Sequence, residues 1–541
     1  MAEEKKWKWA DDPNLNKMEL TKLEKDGLDV IETIVNTYSR QGYASIEPTD
    51  FDRFKWAGIY QQRPKDGHFM MRVRIPGGVL RSDQARVLAG IARDYGRDLV
   101  DVTTRQAVQF HWLTVESFAD IFDRLAAVRL SSFEACGDCP RTITGNPLAG
   151  IDPHEAIDTR PIVEELERFF LLNRDFSNLP RKYKISVSAN IYNAAHAQIN
   201  DLAFTPARKH IDGQEVIGFH VWVGGGLSAK PYLAQQLDVF VRPDEVVKVA
   251  AGVTTVFRDF GYRHKRTHAR LKFLVADWGV ERFQEELVKI TGELETRGED
   301  LIQGWNAGYF YGIHEQRQPG YCYAGLSVPV GRMNAAELDE LARLADAYGD
   351  GTIGTCNTQN VLIRNIPADK VEAFQQEPIV VNRFKLKPNT FVGYAVSCTG
   401  TEYCNLAIVE TKERMRLLAE YLDQTVELDT PVRIHMVGCP NSCGQRQIAD
   451  IGLQGALVKT PAGMVEAFDI HVGGTLADPR FNKKLNARIT VDQLGPFLAQ
   501  LISIYKAERL EGEEYWQYVD RVGVEAIQAQ VDGILAATAG A

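Results

Sequence analysis

The chain has 541 residues, 45% of them apolar, so it is too long for one hydrophobic core and is expected to divide into several structural units. A formal net charge of -10 argues against a general nucleic-acid binder, whose phosphate-binding surface shows as basic excess. Apolar runs are broken by charge before bilayer-spanning length, and the opening residues Met1 to Trp7 lack the apolar centre of a secretion signal, which points to the cytoplasm. In that reducing compartment the eight cysteines read as metal ligands or reactive groups rather than disulfides.

Residues 1–65 are charged and aromatic, with a helical pattern around Lys17 to Val35, and are expected to form a wrapping or docking segment. An internal repeat follows. Val73-Arg74-Ile75-Pro76-Gly77 recurs, with one change of order, around Ser327-Val328-Pro329-Val330-Gly331 at a shift of 253. At that shift Leu88-Ala89, Ala92, Tyr95-Gly96 and Gln106 fall on Leu341-Ala342, Ala345, Tyr348-Gly349 and Gln359. Each copy reads as strand, amphipathic helix and strand. A second pair of segments repeats at a shift of 249: Ile199-Asn200-Asp201-Leu202 with Ile448-Ala449-Asp450-Ile451, and Trp222 to Leu227 with His471 to Leu476. The chain is therefore expected to be α+β and internally duplicated as A-B-A′-B′, with a charged connector near Glu293 to Gln318. The expected divisions are 66–132, 133–300, 315–385 and 390–541. The Gly224-Gly225-Gly226 run lacks dinucleotide-fingerprint spacing, and its counterpart Gly473-Gly474 marks it as architectural.

Cys136 and Cys139 have CxxC spacing but no second pair nearby, and are expected in a pocket wall close to Arg141. Cys322 and Cys356 read as ordinary buried positions. The basic cluster Arg263 to Lys272 is expected either to meet anionic ligands or an acidic partner, or to form a solvated helix face. The strongest chemical signal is Cys398-Thr-Gly-Thr-Glu-Tyr-Cys404 with Cys439-Pro-Asn-Ser-Cys443, two pairs separated by 34 residues. Four thiolates suit a soft metal centre, and the wide first pair favours iron–sulfur over structural zinc. Gly400, Gly438 and Gly444 let backbone approach the sulfurs closely.

These motifs resemble the assimilatory nitrite and sulfite reductases, which carry out six-electron reduction at a sirohaem bridged to a [4Fe-4S] cluster. The resemblance extends to Phe69 to Arg72, Asp101 to Gln106, Gly145 to Gly150, Leu179 to Lys182 and the A-B-A′-B′ repeat. It implies ferredoxin-like half-domains for A and A′ and sirohaem/[4Fe-4S]-binding α/β domains for B and B′. It implies Cys398, Cys404, Cys439 and Cys443 as cluster ligands, with Cys443 also bridging to the sirohaem iron. Arg105 is implied as a sirohaem-carboxylate ligand, and Arg72, Arg141, Lys182 and Lys184 as substrate-side cations. Arginine suits carboxylates through its planar fork, while lysine offers a compact charge and a proton.

The substrate hints diverge. Cys398-Thr-Gly and Asn146 to His154 resemble ferredoxin-dependent nitrite reductases. Lys182-Tyr-Lys184, with Glu134 to Arg141, resembles actinobacterial-type ferredoxin sulfite reductases, and a second lysine suits the more highly charged sulfite. Sulfite is the favoured expectation, nitrite or dual activity the alternative. No flavin or nicotinamide fingerprint is evident, so ferredoxin, or else a flavoprotein, is the expected electron donor. A different class of protein, an electron carrier or sensor using the cluster alone, would have no need of the cations in the matched motifs.

Overall fold

Both repeat shifts reappear, element by element, in the computed structural model of the chain, which describes residues 7–461 and 463–539. Unit A begins before the expected residue 66, because β1 (Ile59–Gln61) joins its sheet, and it also contributes β2 (Phe69–Val73), β3 (Val79–Arg81), β4 (Val100–Val102) and β5 (Val108–Leu113). Unit B contributes β6 (Ile185–Val187), β7 (Leu202–Ile211), β8 (Gln214–Val223), β9 (Gln235–Val241) and β10 (Glu299–Asp300). A′ contributes β11 (Gly312–Glu315), β12 (Tyr321–Leu326), β13 (Arg332–Met333), β14 (Thr352–Thr355) and β15 (Val361–Pro367). B′ contributes β16 (Ala395–Ser397), β17 (Ile434–Val437), β18 (Ile451–Thr460), β19 (Gly463–Val472) and β20 (Lys483–Thr490).

A and A′ each place an amphipathic helix, Ser82–Tyr95 and Ala335–Tyr348, on their sheet. The buried faces follow the helical period, Ala85, Leu88, Ala89 and Ala92 in one and Leu338, Leu341, Ala342 and Ala345 in the other. The two units also trade a short strand. β13 of A′ completes the A sheet beside β4, and β3 of A completes the A′ sheet beside β14. One apolar core therefore runs through both, from Val73 and Leu88 to Leu326 and Ile366. B and B′ keep cores of their own. In B′ the strands β16, β17 and β18 run parallel, so their carboxyl ends open in the same direction.

The turns Pro76–Gly78 and Pro329–Gly331 superpose the repeat with Pro76 on Pro329, which pairs Arg74 with Ser327 and corrects the alignment of that stretch by one residue. Gly224 and Gly473 occupy the same left-handed turn, φ +80° and +82°, with side chains of Val275 and Val519 pressed against them.

Ahead of A, a helix at Lys17–Glu24 is capped by the Asn16 side chain, and a second helical run begins at Val30 and passes through a π turn at Ile34–Tyr38. This segment lies against unit B: Trp56 Nε1 donates to the Ser177 carbonyl at 2.6 Å, and Asp26 accepts from Asn178 at 2.6 Å. Residues 1–6, part of the stretch read for a secretion signal, lie outside the described residues. No described helix is long and apolar enough to cross a membrane.

Candidate active site

The two cysteine loops leave the carboxyl ends of adjacent parallel strands. Ser397 ends β16 opposite Met436 of β17, so Cys398 and the Gly438-Cys439 step emerge side by side. The Gly438 N–H donates to Cys398 Sγ at 3.2 Å, and the Thr411 hydroxyl lies 3.7 Å from the same sulfur. Gly400, φ +67°, turns the first loop back so tightly that a Cβ there would stand 2.6 Å from the Thr411 nitrogen. Burial pushes the Cys398, Cys404 and Cys439 thiols up, and negative charge on Cys443 pushes each of them further. Their mutual influence shows that the four sulfurs face one space. A thiol raised by burial and by its neighbours ionises readily only beside a metal centre. Among the described residues no group of three or more His, Cys, Asp and Glu is placed to hold a single metal ion. The donor set thus fits a [4Fe-4S] centre. Cys443 is the exposed member of the four.

A group of cations drawn from several elements of A and B lies together, and Lys182 links it electrostatically to Cys443. Lys182 is pushed down to about 8 by burial, with Cys443 opposing and Arg270, Arg181 and Arg141 adding to the fall. Lys184 is held well below the ordinary lysine range by burial, then by Arg105, Lys182 and Arg270. Neither ammonium has a hydrogen-bond or ion-pair partner among the described residues. Arg105 is lowered to about 9 by burial and by Arg141; it donates to Asn200 Oδ1 at 3.0 Å and to the Thr142 carbonyl at 2.7 Å, leaving Nε unpartnered. Arg72, on β2, reaches Gln109 Oε1 at 3.0 Å and Cys136 Sγ at 3.6 Å, again with Nε unpartnered. Buried cations crowded together with idle donors are costly unless an anion joins them. A macrocycle rich in carboxylates, together with a small oxyanion, answers that demand, so these residues fit sirohaem.

Arg141 sits differently. Its guanidinium is spent on the carbonyls of Gly137, at 2.9 and 2.6 Å, and Ala135, at 3.1 Å, and it is raised because Tyr60, Cys136 and Cys139 outweigh its burial. It acts on the pocket by charge and by bracing the loop around Cys136 and Cys139.

Sequence reading missed a polar row across the A sheet. Arg72 of β2, Gln109 of β5, Asp101 of β4 and Arg332 of the exchanged β13 are direct cross-strand neighbours and share one face. Gln109 Nε2 also donates to Thr399 Oγ1 at 3.2 Å, beside Cys398. Asp101 is held well below the carboxylate range, its burial overcome by Lys412, His111 and Arg332. Polar residues alternating within an apolar strand, Gln109 and His111 in Val108–Leu113, were the available signal. Strand exchange, which brings Arg332, left none.

The basic cluster Arg263 to Lys272 departs from both expectations. Arg263 is buried, paired with Glu19 and stacked on Trp9 at 3.9 Å. Arg266 binds Asp138 at 2.8 Å, and Arg270 binds Asp201 at 2.6 Å. These arginines are internal ties, Arg263 and Arg266 reaching Glu19 of the N-terminal segment and Arg270 reaching Asp201 within unit B, which their position in the sequence does not reveal. Cys136, Cys139 and Cys356 are buried, whereas Cys322 is half-buried.

The duplicate site lacks this chemistry. At the position equivalent to Lys184, Arg433 takes Asp450 for itself at 2.7 Å and is covered by Trp305 at 4.6 Å. In the active half Arg270 occupies the equivalent Asp201, which leaves the Lys184 ammonium free. Thr358 stands at the position of Arg105 and donates to the Gly308 carbonyl at 2.6 Å, and Tyr309 of the connector packs on Tyr394 at 4.5 Å.

The family model described as "Nitrite and sulphite reductase 4Fe-4S domain" matches residues 136–293 and 391–536, and "Nitrite/Sulfite reductase ferredoxin-like half domain" matches 60–128 and 314–380. The chain is 40% identical over 497 residues to "Ferredoxin--nitrite reductase" of Synechococcus elongatus, covering 90% of this chain and 96% of that one. It is 37% identical over 552 residues to "Sulfite reductase [ferredoxin]" of Mycobacterium tuberculosis, covering 96% and 97%. The solved structure of the Mycobacterium tuberculosis NirA protein superposes with a TM-score of 0.90 at 36% identity, covering 96% of this chain and 99% of that one. The chain belongs to the nitrite and sulfite reductase family of oxidoreductases and carries that family's [4Fe-4S] cluster and sirohaem.

Proposed function

We propose that this protein reduces sulfite to sulfide in the cytoplasm, with electrons supplied singly by ferredoxin. The observation that carries the reading is the pair of unpartnered ammonium groups, Lys182, which feels the charge of Cys443, and Lys184, which lies beside Lys182 and Arg105. Two free cations match a substrate with more negative charge than nitrite. Cys398, Cys404, Cys439 and Cys443 would hold the cluster, and Cys443, the exposed thiol of the set, would be the one on the side of the macrocycle. Arg105 takes a macrocycle carboxylate. When bound, the cluster and sirohaem would relay the donor's electrons to the substrate and supply the iron chemistry of the reduction.

The chain's own residues do the rest. Arg72, Lys182 and Lys184 grip the oxyanion, and Arg141 adds positive field from the wall. Lys182, poised near 8, releases a proton readily as an oxygen departs and regains it from solvent. Nitrite remains the second reading, favoured by the 40% identity to the cyanobacterial enzyme. Measuring kcat/KM for sulfite and nitrite with one reduced viologen donor and sirohaem-replete enzyme decides between them: a clear preference for nitrite would refute the argument from the lysine pair. Comparing reduced ferredoxin with a reduced flavoprotein as donor tests the electron source.

A further inference from the structure

Three of the four substrate-side cations, Arg141, Lys182 and Lys184, sit on two loops, 135–141 and 179–184, and the geometry points to Lys22, in the N-terminal helix, as the residue that positions both loops. This inference rests on the oxyanion pocket proposed above. Lys22 is buried; its ammonium donates to Glu19 Oε1 at 2.7 Å and to the Leu179 carbonyl at 2.8 Å, and it forms an ion pair with Asp138 Oδ2 at 3.0 Å. Asp138 lies in the loop that carries Arg141, between the Gly137 carbonyl that Arg141 grips and Cys139. Leu179 opens the stretch that carries Lys182 and Lys184. One ammonium thus ties two pocket walls to each other and to a helix more than a hundred residues away in sequence. The tie is reinforced by the Leu179 N–H, which donates to the Asp138 carbonyl at 2.8 Å.

The electrostatics run in the same direction. Lys22, Arg266 and Arg181 together keep Asp138 ionised against its burial, Lys22 with the largest single charge effect and Arg266 adding a hydrogen bond. Arg181 is the immediate neighbour of Lys182 and reaches Asp138 at 3.4 Å. With Lys22 present, Asp138 is shared among Lys22, Arg266 and Arg181. Without Lys22, the carboxylate loses one of its three counter-charges and the loop loses its anchor at Leu179. Lys182 and Lys184 have no protein partner of their own to hold their heads in place, so their placement depends on the backbone that bears them. The helix Lys17–Glu24 is therefore part of the substrate-binding machinery, acting through the loops it pins.

The test uses the cofactor-loaded full-length protein. Sulfite is titrated into oxidised wild type and Lys22→Met while the Soret band is followed, and KM, kcat and Tm are measured alongside. The wild-type titration tests the pocket itself: absence of any sulfite-dependent shift there would refute the functional reading, whatever the variant does. With the wild type binding, Lys22→Met is expected to weaken sulfite binding and raise KM by about tenfold, the scale of one lost charged hydrogen bond. Its kcat should change much less, and Lys22→Arg should recover part of the affinity. A lowered Tm with unchanged Kd and KM would overturn the proposal, leaving Lys22 a structural tie only. If Lys22→Met does not fold, Asp138→Asn, which cuts the tie on the other side, must raise KM in the same way; an unaltered KM in that variant refutes the positioning role.

Discussion

The Thr104 hydroxyl donates to the Cys443 carbonyl at 2.8 Å, and Gln445 Nε2 returns a bond to the Thr104 carbonyl at 3.2 Å. The loop bearing Arg105 is thereby locked to the loop bearing the exposed cysteine. The repeat preserves the contact: at the equivalent positions Asn357 Nδ2 donates to the Ala194 carbonyl at 3.1 Å. The clamp belongs to the fold, while the sulfur at its end is present in one half alone.

Cys443→Ser is accordingly expected to abolish turnover and to lower both iron and macrocycle content, measured by iron analysis and by the absorption spectrum of anaerobically purified protein. The clamp through the Cys443 backbone survives that change, so the fold should persist by circular dichroism. Sulfite reduction at the wild-type rate would show the bridging assignment to be wrong.

Substrate affinity should depend on pH through Lys182. Its burial lowers it to about 8, and a bound anion favours the charged form. Below that pH the ammonium is already present and binding takes up no proton. Above it, binding must take up a proton, so sulfite affinity is expected to fall by about tenfold per pH unit. Lys182→Arg, which stays charged, should reduce this alkaline loss, leaving the part that comes from Lys184; the Soret titration repeated across pH 6.5–9.5 checks it, and an identical profile in the variant would exclude Lys182 as a titrating group.

Stability should be sensitive to Glu19, which is fully buried and faces both Lys22 at 2.7 Å and Arg263. Glu19→Gln leaves two buried cations opposite a neutral amide. Losing one partner of such a buried set costs about 3 kcal/mol. Chemical denaturation of the purified protein measures this directly, and a cost below about 1 kcal/mol would mean the network is solvated in solution.

Gly400→Ala probes the first cysteine loop. The residue has φ +67°, and the added Cβ would meet the Thr411 nitrogen and hydroxyl at 2.6 Å. The loop must open, moving Cys398 relative to Cys404, so cluster content should fall sharply with only a modest loss of Tm. Full iron and labile-sulfide content in the variant would contradict this tight packing.

Several features of this protein could be read from sequence alone because they depend on local spacing. The paired cysteines and their flanking glycines announced a soft metal centre, since ligand type and loop curvature are written within a few residues. The A-B-A′-B′ plan was legible because strand and helix periods repeat at fixed shifts, which the structure matches from Ser82–Tyr95 against Ala335–Tyr348 to Leu202–Ile211 against Ile451–Thr460.

Tertiary structure alone decided how equal charges were distributed. Nothing local distinguishes Arg263, Arg266 and Arg270, tied to Glu19, Asp138 and Asp201, from Lys182 and Lys184, left without partners. Nor does sequence foretell that β3 and β13 change places, carrying Arg332 to Asp101. Ion pairing and strand exchange are settled by which groups lie within a few ångströms after the chain has folded, among many partners of the same charge, and that choice is made by packing between segments far apart in sequence.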